Sequence, residues 1–219
     1  MSASSEPRRE DVYKRLRDEI LSCTLTPGQP LYEREIAERF SLSKSPVRDA
    51  LVRLQAERLV IVLPRVGYRV APVSLSDAED LFDYRALMEE AAARRAAEAA
   101  SDADLEALDR FRTAKGWEKK GGFVAYNRSF HLALAALCPN KRIALAASDL
   151  IEHFDRLVVM SVSVMEKPRD SQALVEEHGA IIDAMQGRDA RAVGKLLSRH
   201  VDRARRRVIG ALSQTPIIP

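Results

Sequence analysis

The sequence predicts a mainly α-helical protein in two parts: a small N-terminal α+β module and, behind it, an all-α antiparallel bundle of six helices. Three observations carry this reading. Apolar residues recur at three- and four-residue spacing along most of the chain, the signature of helices with one buried stripe. Strand signals are confined to residues 59–70. After Pro72 the chain becomes rich in Ala, Leu, Arg and Glu, and the excess of positive charge ends: residues 1–72 hold 13 Lys or Arg against 10 Asp or Glu, and residues 73–219 hold 22 against 22.

Residues 1–7 are small and polar and are expected to be disordered. A first helix is predicted from about Arg8 to Ser22, because Val12, Leu16 and Ile20 follow one another at i+4 with charges between them. Pro27-Gly28 and Pro30 end it. A short helix over Glu33 to Phe40 turns Ile36, Ala37 and Phe40 inward, and a brief turn leads into the stretch Ser41 to Gln55. There Val47, Ala50, Leu51 and Leu54 form one stripe, while Lys44, Arg48, Asp49 and Arg53 fall outside it. Ser43 and Ser45 stand at the N-cap region, and Pro46 fits only a first helical turn. Such a helix suits phosphates and base edges, although by itself the stretch fits an ordinary amphipathic surface helix equally well. Leu59 to Leu63, the turn Pro64-Arg65-Val66-Gly67 and Tyr68 to Val70 read as a hairpin. A hairpin directly after helix, turn and helix is the order of a winged helix-turn-helix, here over residues 8–72.

Ser74 to Asp77 is a link and an N-cap. Helices are predicted at about 77–100, 102–115, 122–137, 141–165, 171–185 and 190–212, with breaks at Gly116, Gly121-Gly122, Pro139-Asn140, Pro168 and Gly187. Short turns between six helices make an antiparallel bundle over residues 77–212. Residues 213–219, with two prolines, are expected to trail off.

Composition narrows the function classes. No run of about 18 apolar residues is present to span a bilayer. The N-terminus has no apolar secretory core. Two cysteines, Cys23 and Cys138, are too few and too far apart for a disulfide framework, so a reducing cytoplasm is the expected compartment.

The residues Pro27-Gly28, Glu33-Arg34-Glu35-Ile36-Ala37, Ser43 to Leu51 and Gly67 together resemble the winged-helix domain of GntR-family bacterial transcription regulators. The helical remainder is similar to the effector-binding domain of that family's FadR branch, the FCD type. The resemblance implies a dimer on a palindromic double-stranded operator, contacted by Arg34, Ser43, Lys44, Ser45, Arg48, Arg53 and, at the wing, Gly67. Arg48 is the strongest candidate for reading guanine, since its fork matches O6 and N7. Three positions depart from the family pattern. Lys44 stands where Arg is more usual and reads as a phosphate anchor. Tyr32 replaces a common capping Ser, and Arg58 stands where Gly often follows the recognition helix.

The bundle contains a second constellation. Asn127 and His131 are four apart and share a helix face. His178 and His200 flank the turn near Gly187, and in an antiparallel pair their heights differ by only about 6 Å. Three imidazoles and an amide oxygen suit a first-row divalent metal such as Zn²⁺ or Ni²⁺. On spacing alone, satisfied helix histidines remain the simpler reading. The resemblance implies the metal, because FCD domains commonly use Asp-x3-His and two later histidines. Asn127 in place of Asp removes one negative charge and is expected to lower affinity.

Arg85 matches an arginine that faces the effector pocket in this branch and could hold a small carboxylate, with a salt bridge as the plainer role. His153 is expected to line the cavity or be buried, and Trp117 to be a loop or interface aromatic. The basic run Arg203, Arg205, Arg206, Arg207 reads as a phosphate patch or a solvated face.

The expected function is thus an acid-responsive DNA-binding regulator, a homodimeric repressor with no enzymatic activity. Two rivals stand beside it. One is the same regulator with a metal-free pocket. The other is a three-histidine metal-dependent hydrolase, against which His131 is followed by Leu132-Ala133-Leu134 rather than a His-Glu-x-x-His pattern.

Overall fold

The structure, a computed structural model, describes residues 6–118, 121–162 and 168–213. The chain divides after Val73 into two compact units.

In the first unit, helix α1 (Glu6–Leu21) is followed by strand β1 (Pro30–Leu31), α2 (Glu33–Phe40), α3 (Lys44–Ala56), β2 (Val60–Leu63) and β3 (Gly67–Val70). Val12, Leu16 and Ile20 of α1 meet Ile36 and Ala37 of α2 and Val47, Ala50, Leu51 and Leu54 of α3 in one core. Burial of these apolar stripes holds three short helices that would not persist alone. The sheet order is β1-β3-β2, antiparallel throughout, with Pro30 opposite Arg69 and Val62 opposite Tyr68.

Strand β1 is an addition to the predicted hairpin. Its two residues carry no periodic signal, and it exists only because β3 offers a free edge. At the wing, Gly67 has φ +136°, and a Cβ there would lie 3.3 Å from the Leu31 carbonyl oxygen, so both backbone and space call for glycine. Arg58 adopts the left-handed conformation, φ +59°, that its family position suggests, at the steric cost of a side chain. Tyr32 and Ser43 occupy the N-cap positions of α2 and α3, and neither supplies a side-chain cap. Ser45 lies inside the first turn of α3 instead of capping it.

The second unit contains α4 (Leu75–Ala99), α5 (Asp102–Glu106) continued by a 3₁₀ turn (Ala107–Phe111), α6 (Gly122–Ala136), α7 (Lys141–Val162), α8 (Pro168–Gln186) and α9 (Ala190–Leu212). Ser74 caps α4, its Oγ accepting from the Asp77 N–H at 2.9 Å. Helix α4 is the central one, packed on α9, α7 and α6. It approaches α9 closely because both surfaces are small: Ala93, Ala96 and Ala97 are buried, and a Cβ on Gly194 would lie 2.9 Å from Glu90 Oε1.

The helix predicted for 102–115 is shorter than expected and tightens into 3₁₀ geometry, which buries Leu108 and Phe111. Pro168 opens α8 and is not a break, consistent with its missing N–H being superfluous in a first turn. Trp117 lies in the loop before α6, as expected, and is half-buried against the core: its ring stacks on Phe111 at 6.0 Å and meets Tyr126 edge-on at 5.8 Å. Glu6 and Pro7, expected to be disordered with residues 1–5, are instead the first residues of α1. The end predicted for α7 at Met165, the disorder expected at residues 1–5 and the trailing of 214–219 lie outside the described residues. No helix among the described residues is long and apolar enough to cross a membrane.

Candidate functional site

On the first unit, the N-terminal end of α3 presents Ser43, Lys44, Ser45 and Arg48 to solvent. Arg48 is held in a two-pronged ion pair, Nε to Glu33 Oε1 and Nη2 to Glu33 Oε2, both at 2.9 Å, with its side chain still 60% exposed. Glu33 is thereby kept ionised, its carboxyl pulled down by the Arg48 hydrogen bonds against a small burial penalty. The clamp occupies the Nε edge of the guanidinium, so the Nη1–Nη2 edge is the one presented outward. Arg34 is exposed and pairs with Glu38 at 2.8 Å, a helix-surface contact worth little and easily exchanged for a phosphate. Arg53 departs from this group: its guanidinium lies 3.7 Å over the Tyr13 ring, bracing α3 against α1.

Glu33 was not legible as a functional residue from spacing, because its role depends on the crossing of α2 and α3. Glu33→Gln is expected to reduce the ratio of specific to non-specific DNA affinity roughly tenfold while leaving non-specific binding in place, since a freed Arg48 still meets phosphates. Competition titrations with unrelated duplex DNA measure that ratio.

In the second unit, His131 on α6, His178 on α8 and His200 on α9 converge, each offering a ring nitrogen within 4.8 Å of the others. All three are buried. Their tautomers follow from the groups around them. Glu89 of α4 is ionised: burial opposes its charge, but Arg85 and His131 outweigh that and hold its pKa at about 2. His131 Nδ1–H therefore donates to Glu89 Oε2, at 2.6 Å. His200 Nδ1–H donates to Glu177 Oε2 at 2.7 Å, and Arg203 donates to the other oxygen of that carboxylate at 2.7 Å. The Tyr126 hydroxyl gives its proton to the Phe111 carbonyl at 2.7 Å and so accepts from His178 Nδ1–H at 3.0 Å.

Every Nδ1 thus carries the proton, and every Nε2 presents a lone pair. His131 Nε2 and His200 Nε2 face each other at 3.2 Å, and His178 Nε2 is buried without a hydrogen-bond partner. Burial keeps the rings neutral. It lowers the pKa of His131 to about 4, assisted by Arg85 and opposed by Glu89. It depresses His178 well below the usual imidazole range, and lowers His200 against the pull of Glu177.

Convergent lone pairs in a dry site repel unless a cation lies among them. A cationic group that reaches them is Arg85, whose Nη2 donates to His131 Nε2 at 2.9 Å while its Nε donates to Glu89 and its guanidinium rests 4.4 Å above the Phe154 ring. Three neutral imidazoles with Nδ1 anchored on carboxylates and a phenol match the donor set and outer support of a divalent metal site. The predicted ligand set fits at all three histidines. Asn127 lies beside them, lining a cavity of at most about 410 Å³ together with Arg85 and His200.

Several placements differ from expectation. His153 is half-exposed, its Nδ1 at 2.8 Å from the Asp149 carbonyl of its own helix, and it does not belong to the cavity lining. The reason is helical phase: Ile151, Phe154 and Leu157 take the inward face of α7. Arg207, grouped with a surface run, lines the cavity instead. Glu89, Tyr126 and Glu177 were missed altogether. Only Glu89 carried a usable signal, at i+4 from Arg85. Tyr126→Phe is expected to lower metal affinity about 10- to 100-fold, as for other outer-shell losses. Chelator competition on the purified chain measures it.

Residues 8–70 match the bacterial regulatory proteins of the gntR family, and residues 80–203 match the FCD domain. The HTH-type transcriptional repressor RspR of Escherichia coli K12 is 28% identical over 201 residues, covering 90% of this chain and 87% of that protein. The HTH-type transcriptional repressor GlaR of the same organism is 29% identical over 206 residues, covering 87% and 91%. Among solved structures, E. coli McbR/YncC superposes with a TM-score of 0.76 at 20% identity, covering 90% of this chain and 94% of that one, a likeness of fold. With a DNA-binding module and an FCD domain in this order, the chain belongs to the GntR family of bacterial DNA-binding transcription regulators.

Proposed function

We propose that this protein is a homodimeric repressor that leaves its operator when a small organic acid binds beside a divalent metal in the FCD unit. Residues 8–72 form the DNA-binding domain, and residues 77–212 the effector-binding and dimerisation domain. Arg34, Ser43, Lys44, Ser45, Arg48 and Gly67 contact a palindromic operator, one half-site per protomer, with Arg48 reading a base and Lys44 and the serines holding phosphates. Arg53 contributes by fixing α3. The names of RspR and GlaR favour repression over activation.

The observation that carries the reading is the convergence of three buried neutral imidazoles, His131, His178 and His200, each with its lone pair on Nε2. With Asn127 these residues would hold Zn²⁺ or Ni²⁺, and the bound metal would supply a Lewis-acidic attachment point for a carboxylate. The metal and Arg85 require the same lone pair on His131, so loading would release Arg85 Nη2 toward the cavity it already lines. The freed guanidinium is suited to a carboxylate, which makes metal loading a precondition for effector capture. Effector binding would then bias the relative placement of the two DNA-binding domains.

Two measurements test this together. Elemental analysis of the purified chain should find about one Zn or Ni per protomer. A duplex selected from random sequence by the protein should be released by a carboxylic acid only when the metal is present. A chain without metal that still responds to the acid would favour the metal-free regulator.

A further inference from the structure

The chemistry of the cavity wall goes further and specifies which kind of acid fits; this rests on the acid-responsive reading above. The polar groups on the wall are Arg85, Asn127, His200 and Arg207. Three of them belong to the histidine cluster or its flank, since Arg85 donates to His131, His200 Nε2 lies 3.2 Å from His131 Nε2, and Asn127 precedes His131 by one helical turn. The remaining lining is apolar: Phe123, Phe154, Val158, Leu174 and Val208, with Ala204. No Ser, Thr, Tyr, Asp or Glu lines it among the described residues. The walls are helices α4, α6, α7, α8 and α9, whose interior backbone N–H and C=O groups are already spent on one another.

A ligand hydroxyl entering this space therefore finds few acceptors. Asn127 offers one amide oxygen, and Arg85 and Arg207 only donate. A carboxylate, by contrast, is well served by Arg85 and by a metal on the histidines. Hydrocarbon carried behind the carboxylate leaves water for the two phenylalanines and the aliphatic side chains.

We infer that the effector is a carboxylic acid with an apolar body, aromatic or branched aliphatic, and not a sugar acid or other polyhydroxylated acid. Its carboxylate lies against Arg85 and the histidine cluster, and its hydrocarbon lies against Phe123, Phe154, Val158, Leu174 and Val208. A polyhydroxylated acid is rejected because the hydroxyls that lie against the apolar wall give up water without gaining partners.

Titration calorimetry on the full-length, zinc-loaded protein with four probes tests this: phenylacetate, 3-methylbutyrate, gluconate and glycerate. The expected result is that phenylacetate or 3-methylbutyrate binds on the order of 100-fold tighter than gluconate. Val158→Asn, which places an amide in the apolar wall at a half-buried position, should narrow that ratio about tenfold without altering zinc content. Gluconate or glycerate binding as tightly as the apolar acids overturns the inference and leaves the acid-responsive reading in place. No binding by any of the four to folded, zinc-loaded protein overturns both. A ratio unmoved by Val158→Asn overturns the assignment of the apolar wall.

Discussion

Arg48→Ala is expected to weaken specific operator binding by roughly 10- to 100-fold per half-site, and by more for a dimer engaging both. The side chain is solvent-exposed, so its removal leaves the α1–α2–α3 core of Val12, Leu16, Leu51 and Leu54 untouched. What is lost is a guanidinium that Glu33 holds by one edge with the other edge outward. An arginine already fixed in this way spends little further conformational entropy on meeting a base. Lys44 does not substitute for it, since a single ammonium cannot make the planar two-point contact. Non-specific affinity and its salt dependence should change little, because the proposed phosphate contacts of Ser43, Lys44 and Arg34, all solvent-exposed, would remain. Gel-shift titration on a selected duplex against an unrelated one reads both quantities. Unchanged affinity for the selected duplex removes Arg48 from the interface.

Removal of one imidazole from the bundle has the other large consequence. His178→Ala is expected to reduce metal affinity more than about 100-fold, beyond what an outer-shell change causes, so that the protein purifies without stoichiometric metal. His178 is also a packing residue, stacked on Phe130 with centroids 3.9 Å apart and its Nδ1 anchored by Tyr126. Its loss leaves space beside Phe130 and lowers stability as well. His200→Ala separates the two effects, because His200 is anchored by Glu177 and its ring contacts are with His131 and His178, not with Phe130. Both variants should lose the metal, and His178→Ala should melt lower than His200→Ala. Metal content unchanged in either variant, with circular dichroism showing a folded chain, removes that histidine from the site.

Chelation should lower the melting temperature of the unmodified protein, since a ligand bound only by the folded state stabilises it by mass action. The effect should be absent in both histidine variants.

Much of this architecture was readable in the chain because it is written in local periods. Val47, Ala50, Leu51 and Leu54 mark the inward face of α3, and the same spacing places Arg48 outward. The i+4 relation puts Asn127 and His131 on one face, and the positions of His178 and His200 on either side of a turn bring those two to within about 6 Å in height with only helix rise as input. The winged-helix order and the helical remainder followed from turn signals at Pro27-Gly28, Pro64 to Gly67 and Pro139-Asn140. The residues missed share one property. β1 needed the edge of β3, and Glu33 needed the crossing of α2 on α3. Glu89, Tyr126 and Glu177 serve histidines on other helices, and helical phase turned His153 outward and brought Arg207 to the cavity.

The sequence by itself therefore determined a two-part, mainly helical chain whose motifs resemble a DNA-binding family, with His178 and His200 on one antiparallel helix pair. Only the tertiary structure decided that Glu89, Tyr126 and Glu177 accept from the three Nδ1 atoms, leaving the lone pair of each buried imidazole on Nε2. The reason is physical: side-chain periodicity is a property of a single helix, whereas the protonation of an imidazole is set by whatever neighbour the packing of other helices brings to its second nitrogen.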